Sequence, residues 1–214
     1  FQLGRGGGAI FHPDGENGNT PLPNISNTCT TYTAYNNDFY SIDSTPDTGL
    51  RNIKQLENLS YLHLSGNYHL SDSSFLISSE FINYVNTSAT NLPIPNLSGK
   101  QLLQTYQGTY MRSAGGLFSG NTFKFANCTA LVTLNLYGTS LGGRFPRFNN
   151  PNLNYLELRF TRIVGGYKDS SGQEFVDNVI HEDTFKDCVN LQTFYVDSSN
   201  LLTAPIATSA FTYT

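Results

Sequence analysis

The chain has no tryptophan, a single methionine and three cysteines in 214 residues, and only 13% of its residues are charged. Each shortage excludes something. Cys29, Cys128 and Cys188 contain no CxxC pair, so neither a zinc-ligand set nor a thioredoxin-type redox motif is present; they read as small buried apolar residues. The Lys and Arg residues are few and scattered, and a net charge of −4 offers no basic footprint for nucleic acid. No run approaches the roughly eighteen continuous apolar residues of a membrane helix, so no membrane insertion is expected. GxSxG, HExxH and GxxxxGK[ST] are all missing. The expectation is a chain that is not an enzyme and carries no cofactor or metal. Because it opens on Phe1, with no leader pattern, it is expected to be a segment of something longer.

What fills the gap is Asn, Ser, Thr, Gly and Tyr, threaded throughout with Leu, Ile, Val and Phe, a mixture that argues against a long disordered tail. Uncharged polar surfaces of this kind are common on extracellular and virion proteins. Five Asn-x-Ser/Thr sequons, at Asn24, Asn58, Asn86, Asn96 and Asn127, are about what chance gives in so Asn- and Ser/Thr-rich a chain, and say nothing of glycosylation.

A repeat is visible. Leu131-Val-Thr-Leu134-Asn-Leu136-Tyr-Gly-Thr139-Ser-Leu141 recurs as Leu153 to Ile163 and as Leu191-Gln-Thr-Phe194-Tyr-Val196-Asp-Ser-Ser199-Asn-Leu201. Leu59-Ser-Tyr-Leu62-His-Leu64-Ser-Gly-Asn67 fits the same frame, with Leu70 one place late; weaker copies begin at Cys29 and Leu103. The frame LxxLxLxx(N/T)xL is the leucine-rich-repeat signature. Its LxL alternation has period two, so both apolar side chains point inward from a short strand. The polar residue (Asn37, Asn67, Thr139, Thr161 or Ser199) turns inward to bond the backbone of the bend. One such coil cannot bury its apolar edge alone, so coils stack. The expected fold is therefore an α/β solenoid with one parallel sheet of about six short strands and irregular insertions on its convex side.

A second element precedes some strands. Asn121-Thr-Phe-Lys and Asp183-Thr-Phe-Lys lead to Cys128 and Cys188, with Phe125 and Phe185 three residues before each Cys. This reads as an N-capped convex turn or short helix, and Ser209-Ala-Phe211 looks like the same element starting again, so the chain is expected to stop mid-repeat. Between repeats, Ser71 to Asn91 reads as a short amphipathic helix, and Ser171-Gly-Gln-Glu174 as a capping box before Phe175, Val176, Val179 and Ile180. Residues 1–21 read as a Gly/Pro-rich linker or edge segment, and 22–214 as the repeat array.

The run Leu141-Gly-Gly143-Arg-Phe145-Pro146 resembles the LxGxIP extension of plant-type leucine-rich repeats, and the Phe-x-x-Cys-x-x-Leu elements resemble the BspA-like class of bacterial and protist surface proteins. Together with Asn-Cys-Thr-Ala-Leu, Gly-Thr-Ser-Leu and Asn-Pro-Asn-Leu-Asn-Tyr-Leu, over roughly residues 20 to 211, they look most like repeat proteins of tailed phages of marine cyanobacteria. Leu103 to Gly116 departs from that pattern. The resemblance implies a tail-fibre, baseplate or other surface-appendage protein at a virion surface or outside the cell, with other assembly subunits and a host surface receptor, protein or glycan, as partners.

Three acidic clusters have plain readings. His12, Asp14 and Glu16 lie in a polar turn that misses the EF-hand pattern. His181, Glu182 and Asp183 read as a solvated helix end with a cap, and Asp169 to Asp177 would hold calcium only by chance. The functional signal lies in the outward strand positions, which stacking would place on one face: Thr31, Thr33 and Tyr35; Ser65; Thr105, Gln107 and Thr109; Thr133 and Thr193; and the candidate binding residues Tyr61, His63, Asn135, Tyr137, Tyr155, Glu157, Arg159, Tyr195 and Asp197. Aromatic rings with polar tips give contact area at low entropic cost, although Tyr and Thr also simply favour strands. The expected function is a recognition or structural module of a virion or cell-surface appendage. Alternatives are a purely architectural filament or virion subunit, a BspA-like adhesin, and a polysaccharide hydrolase using dispersed carboxylates.

Overall fold

The computed structural model describes Gln2–Leu3 as a strand, Ser26, and residues 28–35, 53–169, 171–175 and 180–196. Asn37, Asp177, Asp197, Ser199, the His12–Asp14–Glu16 turn and the Ser209 element lie outside the described residues.

The described chain is mostly strand with almost no helix. In chain order the strands are β1 (Gln2–Leu3), β2 (Thr31–Ala34), β3 (Tyr61–His63), β4 (Tyr84–Asn86), β5 (Thr105–Gln107), β6 (Phe118–Ser119), β7 (Thr122–Phe123), β8 (Thr133–Asn135), β9 (Gly142–Pro146), β10 (Tyr155–Glu157), β11 (Arg162–Lys168), β12 (Glu174–Phe175) and β13 (Thr193–Tyr195). One large sheet runs β1-β2-β3-β4-β5-β8-β10-β13, parallel at every pairing and in sequence order. Its body is the seven strands of three or four residues, with two-residue β1 at the edge. The expected number was about six; the additional strand is β4, from a repeat the LxL frame did not reveal.

The register explains the core. Tyr32, Leu62, Val85, Tyr106, Leu134, Leu156 and Phe194 align across the sheet. All but Phe194 are fully buried, as are Leu64, Leu136 and Leu158 of the next inward row. Phe194 and Val196, in the last described repeat, are only partly covered. Each fully buried Leu is worth about 1.5–3 kcal/mol. The polar residue of the frame turns inward as its chemistry demands. Asn67 donates from Nδ2 to the Ala34 carbonyl at 2.6 Å and the Leu64 carbonyl at 2.7 Å. Thr90 and Thr161 donate to the carbonyls three residues back, at 2.7 and 2.9 Å.

The β4 and β5 repeats depart from the frame in ways that compensate. Thr87 and Gly108 stand where leucine stands elsewhere, and Met111 where Asn or Thr stands. The Tyr106 ring fills the missing volume: a Cβ on Gly108 would lie 2.6 Å from Tyr106 Cε1 and 2.8 Å from Met111 Sδ. Burial of the Tyr106 hydroxyl is offset by a 2.9 Å hydrogen bond with Thr87 Oγ1. A leucine pair has been exchanged for a tyrosine, a glycine and a threonine that fit only one another.

Opposite the large sheet the chain makes three-residue turns, not helices. Backbone bonds run Ala126 to Phe123, Cys128 to Phe125 and Leu131 to Cys128, and likewise Thr184 to His181, Cys188 to Phe185 and Leu191 to Cys188. A spacing of three fits a helical face and a chain of such turns equally well; of the two readings, turn or short helix, the turn is the one observed. From the β4 repeat onward, the position three before the strand-leading apolar residue forms a line of donors. Ser79 Oγ bonds the Glu57 carbonyl, Lys100 Nζ that of Ser78 and Cys128 Sγ that of Leu97. Asn150 Nδ2 bonds the carbonyls of Phe125 and Cys128, and Cys188 Sγ that of Phe148. Cys128 and Cys188 thus stitch adjacent repeats by donating, and all three cysteines are free thiols.

The other helix expectations are corrected. Residues 71–91 contain β4 flanked by turns and no helix, with Phe75, Ile77, Ile82 and Val85 buried. Thr122 and Phe123 belong to a hairpin with β6, turned at Gly120 (φ 62°), and Asn121 bonds the Ser171 carbonyl instead of capping a helix. The capping box fails because Asp169 Oδ1 takes the Ser171 hydroxyl and the N–H groups of Ser171 and Gln173, while Gly172 adopts φ 89°. The resulting turn folds β12 antiparallel onto β11, which itself pairs parallel with β9.

Candidate functional site

With both inward rows consumed by the core, the outward side chains of the large sheet form three rows in register. One runs Thr31, Tyr61, Tyr84, Thr105, Thr133, Tyr155 and Thr193; the next Thr33, His63, Asn86, Gln107, Asn135, Glu157 and Tyr195. The third comprises Tyr35, Ser65, Ser88, Thr109, Tyr137 and Arg159, two residues beyond each member of the second. Neighbouring strands lie about 4.8 Å apart, so side chains along a row touch.

They gather into two clusters. Toward β2, Tyr61 stacks on Tyr84 with centroids 4.4 Å apart and planes 5° from parallel, and His63 stacks on Tyr35 at 5.0 Å. His63 Nε2 sits 2.6 Å from Ser65 Oγ and 3.3 Å from Asn86 Nδ2. Partial burial lowers its pKa, so the imidazole is neutral near pH 7.

Toward β13, Glu157 is buried beneath its partners. Arg159 donates from Nε to both carboxylate oxygens, at 3.0 and 3.2 Å, and from Nη2 at 2.7 Å; its own backbone N–H adds a bond at 3.0 Å. Burial works to raise the Glu157 pKa, but these bonds outweigh it and hold the carboxyl below its ordinary range. The guanidinium lies 4.5 Å over the Tyr195 ring and 5.7 Å from that of Tyr137, and Tyr155 meets Tyr195 edge-on at 6.0 Å. Tyr137, Tyr155, Glu157, Arg159 and Tyr195, read separately from three repeats, therefore come together; Tyr61 and His63 belong to the other cluster. Between the two lie Thr105, Gln107, Thr133 and Asn135. Asn135 accepts the Tyr137 N–H on its Oδ1 at 3.1 Å.

Five residues of this face escaped the sequence reading. Tyr84, Asn86 and Ser88 came with the unrecognised β4 repeat. Tyr110 and Phe160 sit in plain sight at the frame position just before the inward polar residue. There the chain turns through the left-handed region in every repeat from β3 to β10: Gly66 (φ 74°), Ala89 (54°), Tyr110 (56°), Gly138 (66°) and Phe160 (56°). A non-glycine residue pays about 1–2 kcal/mol for that conformation. Tyr110 and Phe160 are nevertheless 58% and 62% exposed. Both meet Tyr137 edge-on, at 5.3 and 5.2 Å. Gly138 makes room, since a Cβ there would fall 2.7 Å from the Tyr110 ring. The available signal was an aromatic where sister repeats have glycine.

Away from this face, a cavity of about 460 Å³ is lined by Phe118, Phe123, Asn127, Arg147, Lys168 and Asp187, among others. Its one lining carboxylate, Asp187, is paired with Arg147 at 2.8 Å. The His181–Glu182–Asp183 trio lies in a turn, with His181 stacked on Tyr167 at 4.9 Å and 3.8 Å from Asp183. Among the described residues, no three His, Cys, Asp or Glu side chains gather as a metal site. No helix of the described chain is long and apolar enough to cross a membrane.

Compared with known proteins, the chain matches no family model, no curated protein and no solved structure at a significant level.

Proposed function

We propose that the chain is a leucine-rich-repeat solenoid acting as a non-enzymatic recognition module of a virion or cell-surface appendage, with the outward face of its large sheet as the binding surface. Support for the solenoid comes from parallel strands in sequence order, the inward polar residues bonding each bend, and the donor line linking the backs of successive repeats. The segment resembling the plant-type extension forms β9, which pairs parallel with the equivalent segment of the next repeat, β11.

The observation that carries the binding reading is the cluster of Tyr137, Tyr155, Arg159 and Tyr195, drawn from three adjacent repeats into mutual contact on one face. Aromatic and Arg side chains supply most binding hot spots, because they offer rigid area and directional polar groups together. The partner is a host surface receptor, and the remaining faces are available to other subunits of the assembly.

Tyr155→Ala and Tyr195→Ala test this in a surface-adsorption assay. Loss of a central aromatic should weaken attachment by about 1–2 kcal/mol, roughly five- to thirtyfold, with thermal unfolding nearly unchanged. Unchanged adsorption by folded variants would move the site elsewhere; failure to assemble, with adsorption intact, would favour a purely architectural role.

A further inference from the structure

Resting on the reading of the sheet face as a recognition surface, we propose that Tyr110, Tyr137 and Phe160, with the amides of Gln107 and Asn135, form a binding site for a neutral glycan. Tyr110 and Phe160 hold a left-handed backbone that glycine takes without strain and that two sister repeats do give to glycine. Their exposure means core burial does not offset that strain. Strained positions bearing exposed functional side chains are characteristic of ligand sites. The neighbourhood is adapted to the rings: Gly138 gives up a side chain that would strike Tyr110, and Tyr137 stands edge-on between Tyr110 and Phe160.

The chemistry around the rings selects the ligand. Glu157 and Arg159 are the only charged residues among the described members of the three outward rows, and they neutralise one another. Within those described rows a charged ligand therefore finds no unpaired counter-charge. The outward rows contain no Leu, Ile, Val or Met to anchor an aliphatic side chain. The backbone of this region is committed to neighbouring repeats, with Gly108 bonded to the Asn135 carbonyl and Tyr110 to that of Tyr137, so an extended peptide cannot add by main-chain pairing onto the face. What remains is flat rings beside hydroxyls and primary amides, groups that both donate and accept. Sugar hydroxyls do the same, and the C–H faces of a pyranose lie flat on aromatic rings. Repetition of these groups about every 4.8 Å across the strands is close to the spacing of successive sugar units.

The test is affinity electrophoresis of the chain in gels containing a neutral glucan, mannan or galactan, with polygalacturonate and heparin as acidic controls. At least one neutral polysaccharide should retard the chain, equally at low and high salt. Tyr110→Gly and Phe160→Gly should each weaken that retardation tenfold or more while leaving the unfolding temperature unchanged or higher, because glycine relieves the backbone. Retardation by none of the neutral polymers, by acidic ones alone, or undiminished in both glycine variants overturns the proposal. Adsorption to cells separates its failure from that of the broader reading. Adsorption abolished by periodate, which cleaves sugar diols, supports the glycan. Adsorption that resists periodate but is lost on protease treatment of the cells, and in Tyr155→Ala, leaves the binding face standing with a protein as its ligand.

Discussion

Replacing Gly108 by leucine would make the β5 repeat look more like its neighbours, yet it should destabilise the protein. The inward position that leucine fills at 64, 136 and 158 is occupied here by the Tyr106 ring and the Met111 sulfur, 2.6 and 2.8 Å from where a Cβ would stand. Both distances are far inside van der Waals contact, so the ring must swing away. Overpacking of this kind costs about 1–3 kcal/mol. Displacing the ring also breaks the 2.9 Å bond between Tyr106 and Thr87, worth about 1 kcal/mol and leaving a buried hydroxyl without that partner. The total is about 3 kcal/mol, a fall of roughly 6–12 °C in Tm for a chain of this size. The decisive control is the same substitution in a Tyr106→Leu background. There the obstructing ring is gone, so Gly108→Leu should be tolerated, with a coupling of at least about 1.5 kcal/mol between the two sites. Thermal and urea unfolding of the four proteins measures it. A neutral Gly108→Leu, or an equal cost in both backgrounds, would refute the volume-exchange argument.

Four further outcomes are expected. Asn67→Ala should cost about 2–3 kcal/mol in urea unfolding, since two buried carbonyls lose their donor; a loss under 0.5 kcal/mol would mean the bend holds without it. Glu157 has its carboxyl pKa depressed in the folded state, so its contribution is present at neutral pH and drains away as pH falls through and below about 4.5. Glu157→Gln should accordingly show a shallower loss of stability between pH 5 and 3 than the parent, and identical acid limbs would contradict the pairing. Burial pushes the Cys128 and Cys188 thiols up to about 12, so both should resist a thiol reagent at pH 8 and react only on unfolding; fast native labelling of either would place it at the surface. Leu134→Ala should cost about 2–5 kcal/mol by cavity formation, and a near-neutral result would contradict its place in the core.

The sequence displayed the architecture wherever the repeat was chemically literal. Leu134 and Leu136, or Leu156 and Leu158, announce an inward pair by period two, and the inward set derived from that frame lies buried or partly buried as described. It concealed the architecture where the core solved the same packing problem with different atoms. Thr87 hides β4 because a hydroxyl in a leucine position makes sense only beside Tyr106, a residue in another repeat. A turn and a short helix were both open at the backs of the repeats because Phe125, Cys128 and Leu131 recur every three residues; only the backbone bonds distinguish linked turns from a helix. Of the binding face, the outward positions were legible from alternation, but their division into clusters was not. Which ring stacks on which depends on neighbours brought together by register, and Tyr110 and Phe160 gain their meaning from a φ angle that no single repeat displays.

Hydroxyl-radical footprinting of the assembly that bears this chain, before and after attachment to its target surface, tests the central claim most directly. The account predicts that Tyr137, Tyr155, Phe160 and Tyr195 are readily oxidised in the free assembly and become protected on attachment, while exposed Val189, outside the three outward rows, does not change. Rings already protected before attachment, or equally reactive after it, would contradict a sheet face that exists to bind.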